Sequence, residues 1–290
     1  MTSRPQNRKK AILCIISAAF FFALMNCFVR LSGDLPTPQK SFFRNFIAFI
    51  IAAFVLIKSG EKTHPHKSDI PYLFVRSAAG TIGILGNFYA VDHMASISDA
   101  SMLNKMAPFF TIIFSYLILK EKPKLFQTVC VILAFVGSLF IIKPSMDFSR
   151  SMPALIGLCG GLGAGLAYTF VRILSGRGVA GSWIVLIFSG FSCAVTLPVL
   201  IFDYAPMTGT QILTLLGAGI AAAGGQFSVT AAYSNAPAKE ISIFDYSQII
   251  FAALFGYFLF DQIPDIYSFI GYIIVIGASA FMFFYNKANQ

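Results

Sequence analysis

Ten apolar runs, each about 20 residues long, occupy almost the whole 290-residue chain, with only short polar clusters between them. About 20 residues of helix cross the roughly 30 Å hydrocarbon core of a bilayer, so each run is long enough to span one. Ten such runs in series leave no amphipathic surface helix to face water, which excludes a soluble bundle of core helices. With 57% hydrophobic and 11% charged residues, the chain has too little charge to cover a soluble body of this size. The fold class predicted is an all-α membrane protein with transmembrane helices at 11–31, 38–58, 70–91, 98–119, 125–143, 154–173, 180–201, 209–232, 240–260 and 266–285. Turn clusters separate them at Leu35-Pro36-Thr37-Pro38, Glu121-Lys122-Pro123, Lys143-Pro144, Ala236-Pro237 and Gln262-Ile263-Pro264. The first run follows basic residues, as a signal peptide would, but it exceeds a signal core and nine more runs follow it.

Charge orients the spans. With the N-terminus inside, the cytoplasmic side collects Arg4, Arg8, Lys9, Lys10, Lys58, Lys62, Lys67, Lys120, Lys122, Lys124, Arg172, Arg177, Lys239 and Lys287, fourteen in all, against Lys40, Lys143 and Arg150 outside. That asymmetry predicts cytoplasmic termini in a cell inner or plasma membrane. It also accounts for the net charge of +9 without a nucleic-acid partner. The five cysteines (Cys14, Cys27, Cys130, Cys159, Cys193) all fall within spans, at spacings that form neither a metal motif nor a disulfide framework.

The halves repeat. A shift of 140 residues lays Gly83–Ala90 on Ala223–Thr230, Lys120-Glu121 on Phe260-Asp261 and Gly137 on Gly277, and a shift of 142 lays Phe28-Val29-Arg30 on Phe170-Val171-Arg172. Five spans per half is an odd number, so the second half enters from the opposite face. The spacing predicts inverted repeats at 1–148 and 149–290, an arrangement that builds carriers because its two halves can exchange conformations.

The stretch from Ala95 to Pro108 runs through Phe109–Leu119 into Lys120-Glu121-Lys122-Pro123: a polar entry to the fourth span, a proline within it and a Glu at its close. In these features the chain resembles the drug/metabolite transporter superfamily, in its ten-span form with two EamA-type domains. The second copy, from Asn235-Ala236-Pro237-Ala238-Lys239-Glu240 to Phe260-Asp261, closes on Asp and places Gln248 where the proline would stand. The resemblance implies a transporter of amino acids, nucleotide sugars, small cations or other metabolites. It also implies a central cavity enclosed by spans one to four and six to nine.

Ionisable residues inside spans are costly and mark function. Arg30 lies at the outer end of span one, within snorkelling reach of the interface. Arg44 lies about 9 Å into span two, and Arg76 lies near the inner end of span three. Lys105 and Asp245 occupy matching places in the two repeats, yet inversion and helical rise set them about 10 Å apart in depth, on opposite sides of the midplane. Neighbouring polar side chains complete the candidate set: Asn87 and Tyr89 in span three, Ser101 in span four, Tyr168 in span six, Gln226 and Tyr233 in span eight, and Ser242, Tyr246 and Gln248 in span nine. In span four, Ser101, Lys105, Pro108 and Ser115 share roughly one face, and Pro108 is expected to kink the helix there. Glycines at 80, 83 and 86, at 157, 160, 161, 163 and 165, and at 217, 219, 224 and 225 predict close helix crossings in spans three, six and eight.

These features predict a secondary transporter of a small polar or amphipathic solute, an amino acid or another anionic or zwitterionic metabolite, working by alternating access. A passive channel or facilitator, or an exporter of organic cations or drugs, stays open beside it. An intramembrane enzyme is excluded: His64, His66 and His93 fall in loops, no H-E-x-x-H or G-x-S-x-G occurs, and Gly160-Gly161-Leu162-Gly163 lacks the lysine of a phosphate loop. No cofactor or metal is called for. The partners expected are a small-molecule substrate and membrane lipid. A monomer suffices to enclose a cavity, with a homodimer left open.

Overall fold

A computed structural model of the chain describes residues 8–59, 64–120, 125–142, 148–235 and 244–288. Among these residues the regular elements are helices: α1 (Arg8–Leu31), α2 (Thr37–Ser59), α3 (Ile70–His93), α4 (Ile97–Asn104), α5 (Ala107–Leu119), α6 (Leu125–Ile142), α7 (Phe148–Gly176), α8 (Gly181–Phe202), α9 (Gly209–Asn235), α10 (Ser247–Phe260) and α11 (Ile266–Ala288), with a 3-10 turn at Lys67–Asp69 leading into α3. Each apolar run coincides with one helix, except that the fourth is divided between α4 and α5 and the ninth is interrupted at Tyr246 before α10. Residues 240–243, at the start of the ninth run, lie outside the described residues, and with them Ser242.

Among the described residues, seven stretches are long and apolar enough to cross a membrane: Lys9–Leu31, Thr37–Ser59, Ile97–Ile118, Ser151–Gly176, Gly181–Phe202, Gly209–Ala232 and Ile266–Tyr285. The three other expected spans fall short of this among the described residues. Helix α3 has the length, 24 residues, but Arg76, Ser77, Thr81 and Asn87 interrupt its apolar run. The sixth and tenth helices offer only the shorter apolar stretches Thr128–Ile142 and Ser247–Phe260. His93, expected in a loop, is the last residue of α3.

The body is inside-out relative to a soluble protein. Phe54, Ile57, Leu125, Phe202 and Phe258 are exposed, while Lys40, Arg44, Arg76, Lys105 and Asp245 are buried. An outward apolar surface is stable against acyl chains, which leave polar groups no place but the interior.

Pairwise packing runs α1 along α9, α3 along α7, α2 on α8, α6 on α11 and α4 on α10. The α3–α7 crossing is set by glycine. A Cβ built on Gly160 would stand 2.9 Å from the Asn87 backbone nitrogen and 3.1 Å from the Gly83 carbonyl oxygen, and one on Gly86 would stand 2.7 Å from the Ile156 carbonyl oxygen. The α1–α9 contact seats rings on glycines instead, with Phe28, Phe21 and Phe22 against Gly217, Gly224 and Gly225.

Two helices break in mid-body. Between α4 and α5, Lys105 and Met106 form a turn. Pro108 falls in the first turn of α5, where its missing N–H leaves no bond unmade. The expected kink at Pro108 is therefore a full break just before it. Phe109 N donates to Met106 O at 3.0 Å, so the Lys105 carbonyl is left for another donor. In the second half Phe244 and Asp245 are helical, Tyr246 is a turn and α10 starts at Ser247, with no proline present. The Tyr246 hydroxyl donates to Lys105 O at 3.1 Å, joining one break to the other.

Candidate functional site

The two breaks bring Lys105 and Asp245 together. Lys105 Nζ lies 2.6 Å from Asp245 Oδ1, with both side chains buried. The expectation of about 10 Å between them assumed unbroken helix rise. Because each helix stops at its own charged residue, both residues reach the same level of the body. The contact is a close ion pair without hydrogen-bond alignment at Oδ1.

Beside this pair lies a narrow cavity of about 70 Å³. Its polar wall comes from Arg44 of α2, Arg76 and Asn87 of α3, Asn104 and Lys105 at the first break, Tyr168 of α7, Gln226 of α9 and Gln248 of α10. Phe22 and Met25 of α1 and Phe188 of α8 supply apolar wall. Among the described residues, none of α6 or α11 lines it.

Both arginines are deeply buried, Arg44 at 1% and Arg76 at 3% exposure. Arg44 Nη1 donates to the side-chain oxygen of the adjacent Asn45. That amide is itself fixed, because Asn45 Nδ2 donates to Ser41 O and to Ser192 Oγ, each at 2.8 Å. Arg76 lies over the Phe188 ring with its guanidinium carbon 3.8 Å from the centroid, a cation–π contact. Gly80 makes room for it: a Cβ there would stand 2.6 Å from Arg76 Nη1. Among the described residues, Arg44 Nε and Arg76 Nε and Nη1 have no hydrogen-bond partner.

Of the residues singled out in the sequence, the fold gathers Arg44, Arg76, Asn87, Lys105, Tyr168, Gln226 and Gln248 on one cavity. Asp245 and Tyr246 reach it through Lys105. Ser101 stands behind the wall, accepting from Asn26 Nδ2 at 3.1 Å. Tyr89 points away and stacks on His93 at 4.0 Å between ring centroids. The side chains of Tyr233 and Ser115 lie outside the described residues. Asn26 and Asn104 were not singled out. Asn87 Nδ2 donates to Asn26 Oδ1 at 3.0 Å, so Asn26 links α1, α3 and α4. A signal for Asn26 was present, since the 142-residue shift that matches Arg30 with Arg172 also matches Asn26 with Tyr168.

Hydrogen-bonded networks tie both ends of the body. At one end Lys40 pairs with Asp92 at 2.8 Å, and Arg30 donates to the Val91 and Met94 carbonyls at the end of α3. Gln39 exchanges two hydrogen bonds with the Ala205 backbone at 2.8 and 2.9 Å, and Gln211 Nε2 donates to Ser32 O at 3.0 Å. At the opposite end Arg177 Nε donates to Asp69 Oδ1 at 2.5 Å and Nη2 to Ser68 Oγ at 3.0 Å. The hydrogen bond from Arg177 holds the Asp69 carboxyl below the usual carboxylate range.

Buried charge around a cavity, two broken helices and an apolar exterior define a membrane transport protein. Residues 9–143 and 151–284 each match the model of the EamA-like transporter family, and the chain belongs to that family. It is similar to the pseudopaline exporter CntI of Pseudomonas aeruginosa, 30% identical over 93% of this chain and 94% of the relative. It is similar also to a riboflavin transporter of Vibrio cholerae, 23% identical over 93% of this chain and 91% of the relative. A solved crystal structure superposes with a TM-score of 0.71 at 13% identity, covering 98% of this chain and 100% of its own, and so shares the fold. The protein is thus a multi-pass membrane protein of a transporter family, not an enzyme.

Proposed function

We propose that the chain is a secondary carrier that moves a small anionic or zwitterionic metabolite across the cell membrane by alternating access. The observation that carries this reading is the cavity itself. Arg44, Arg76, Lys105 and Asp245, all buried, converge where two helices break. Buried charge is retained in a membrane body where something polar passes. The polar wall with its excess of cations disfavours organic cations as cargo.

Packing supports ten crossings arranged as inverted repeats at 1–148 and 149–290. The contacts of α1 with α9 and α10, and of α2 with α9, have counterparts in those of α7 with α3, α4 and α5, and of α8 with α3. These pairs exchange when the halves are swapped. The asymmetry of basic residues supports cytoplasmic termini, which puts Lys40–Asp92 outside and Asp69–Arg177 inside. The cavity of about 70 Å³ is far below the roughly 300–1,000 Å³ of ligand pockets. With both ends tied, this supports a contracted conformation between two open ones. Relatives named for pseudopaline and riboflavin support a metabolite as cargo. The partners of this reading are that solute and lipid, and one copy suffices.

Counterflow tests it. Proteoliposomes preloaded with unlabelled glutamate, glutarate or glycerol 3-phosphate should take up the matching radiolabelled solute faster than empty vesicles for at least one of the three. Uptake that trans solute never stimulates identifies a passive pore instead.

A further inference from the structure

We infer that the cargo is a small dianion, bearing either two carboxylates or one phosphate monoester, with an anionic group seated between the Arg44 and Arg76 guanidiniums. The inference rests on reading the cavity as the cargo site and adds the charge that the cargo must bring.

A guanidinium stays protonated in proteins, so Arg44 and Arg76 are both cations. Both line the same cavity, where they are like charges. Among the described residues no carboxylate pairs with either one: Arg44 rests on the Asn45 amide and Arg76 on the Phe188 ring. Lys105 is already balanced by Asp245. Among the described residues, three cations against one carboxylate leave an excess of two positive charges at the cavity. Water in so polar a cavity can fill the vacant bonds at Arg44 Nε and at Arg76 Nε and Nη1, but it cannot neutralise them.

The two side chains are also held ready. Asn45, anchored to α8 through Ser192, fixes Arg44 from behind, and Gly80 opens the space in which Arg76 lies. Such pre-positioned N–H donors suit oxyanions, which guanidinium forks recognise bidentately. A cationic cargo would have to approach two arginines and break the Lys105–Asp245 pair. A monoanion leaves one charge unbalanced. A dianion balances both.

Thermal stabilisation of the purified full chain in detergent tests this without requiring flux. The probes are glutarate and glycerol 3-phosphate as dianions, butyrate as monoanion and putrescine as dication. At least one dianion should half-saturate at a concentration about tenfold or more below butyrate, the worth of one charge-assisted hydrogen bond. Which of the two does so assigns the carboxylate or the phosphate source. Arg76→Gln should bring that dianion to the butyrate level. Gly80→Ala should weaken it while the variant still folds, because the atoms nearest its new Cβ belong to side chains, the Arg76 tip at 2.6 Å and the Phe188 ring at 2.9 Å, and not to backbone. Butyrate matching both dianions, stabilisation by putrescine, or no response to either dianion overturns the inference. A chain that prefers a dianion yet shows no counterflow keeps this inference and loses the carrier reading.

Discussion

Lys105 and Asp245, 140 residues apart in the chain, stand with Nζ 2.6 Å from Oδ1 at the meeting point of two interrupted helices. The pair is buried and lies against a polar cavity, so its members are held by each other and not by solvent. The first break frees the Lys105 carbonyl, and the Tyr246 hydroxyl at the second break donates to it. The ion pair therefore belongs to the interface between the two halves of the chain as much as to either one.

Removing one partner of a buried pair leaves an uncompensated charge, at a cost of about 3–5 kcal/mol. Lys105→Met and Asp245→Asn should each lower the thermal midpoint in detergent and abolish uptake. The double variant should regain most of the stability. Uptake unchanged in Lys105→Met would remove Lys105 from the transport site.

The α3–α7 crossing admits no side chain at Gly160, where a Cβ would press on the Asn87 nitrogen and the Gly83 carbonyl. Gly160→Ala should destabilise by about 1–3 kcal/mol, the usual cost of overpacking, and shift Asn87 at the cavity wall. Gly176→Ala, with nothing within 4 Å of the new Cβ, is the control and should melt like the parent chain.

Asn26 takes one hydrogen bond from Asn87 and gives one to Ser101. Asn26→Leu leaves both partners buried and unmatched. A loss of about 1–3 kcal/mol is expected, read as a lower thermal midpoint, and Asn26→Gln should not restore the parent value because its longer arm misplaces the amide. A midpoint unchanged by Asn26→Leu refutes the structural role given to this asparagine.

The Asp69–Arg177 tether carries a defined pH dependence. Asp69 has a lower carboxyl pKa folded than unfolded, from 3.8 downward, chiefly through the hydrogen bond from Arg177. Its contribution is complete above the unfolded value and is lost as pH falls through the lower folded value. The stability gap between the parent chain and Asp69→Asn should be constant from neutrality to about pH 5 and close below the ordinary carboxylate range. Melting curves across that range check it, and a gap that instead changed between pH 6 and 8 would place the titration elsewhere.

Much of this architecture was legible in the chain. Run length sets where helices lie, because a lipid-facing segment must satisfy its backbone internally. The 140-residue shift marks Lys105 and Asp245 as a related pair. Arg44 and Arg76 stood out because buried cations need a reason. Other features were not legible. Tyr89 and Gln226 look alike as polar residues in spans, yet only Gln226 lines the cavity, because rotation about the helix axis is decided by the neighbouring helix. The break at Tyr246 had no proline to announce it.

By itself the sequence determined a membrane-embedded helical chain, with helix limits at its polar clusters and charges at its related positions. Those properties follow from local hydropathy and from the cost of burying unbonded backbone. Only the tertiary structure decided that Lys105 and Asp245 touch. Their depth depends on where two helices stop and how closely glycine lets α3 and α7 approach, and both are settled by packing between segments far apart in the chain.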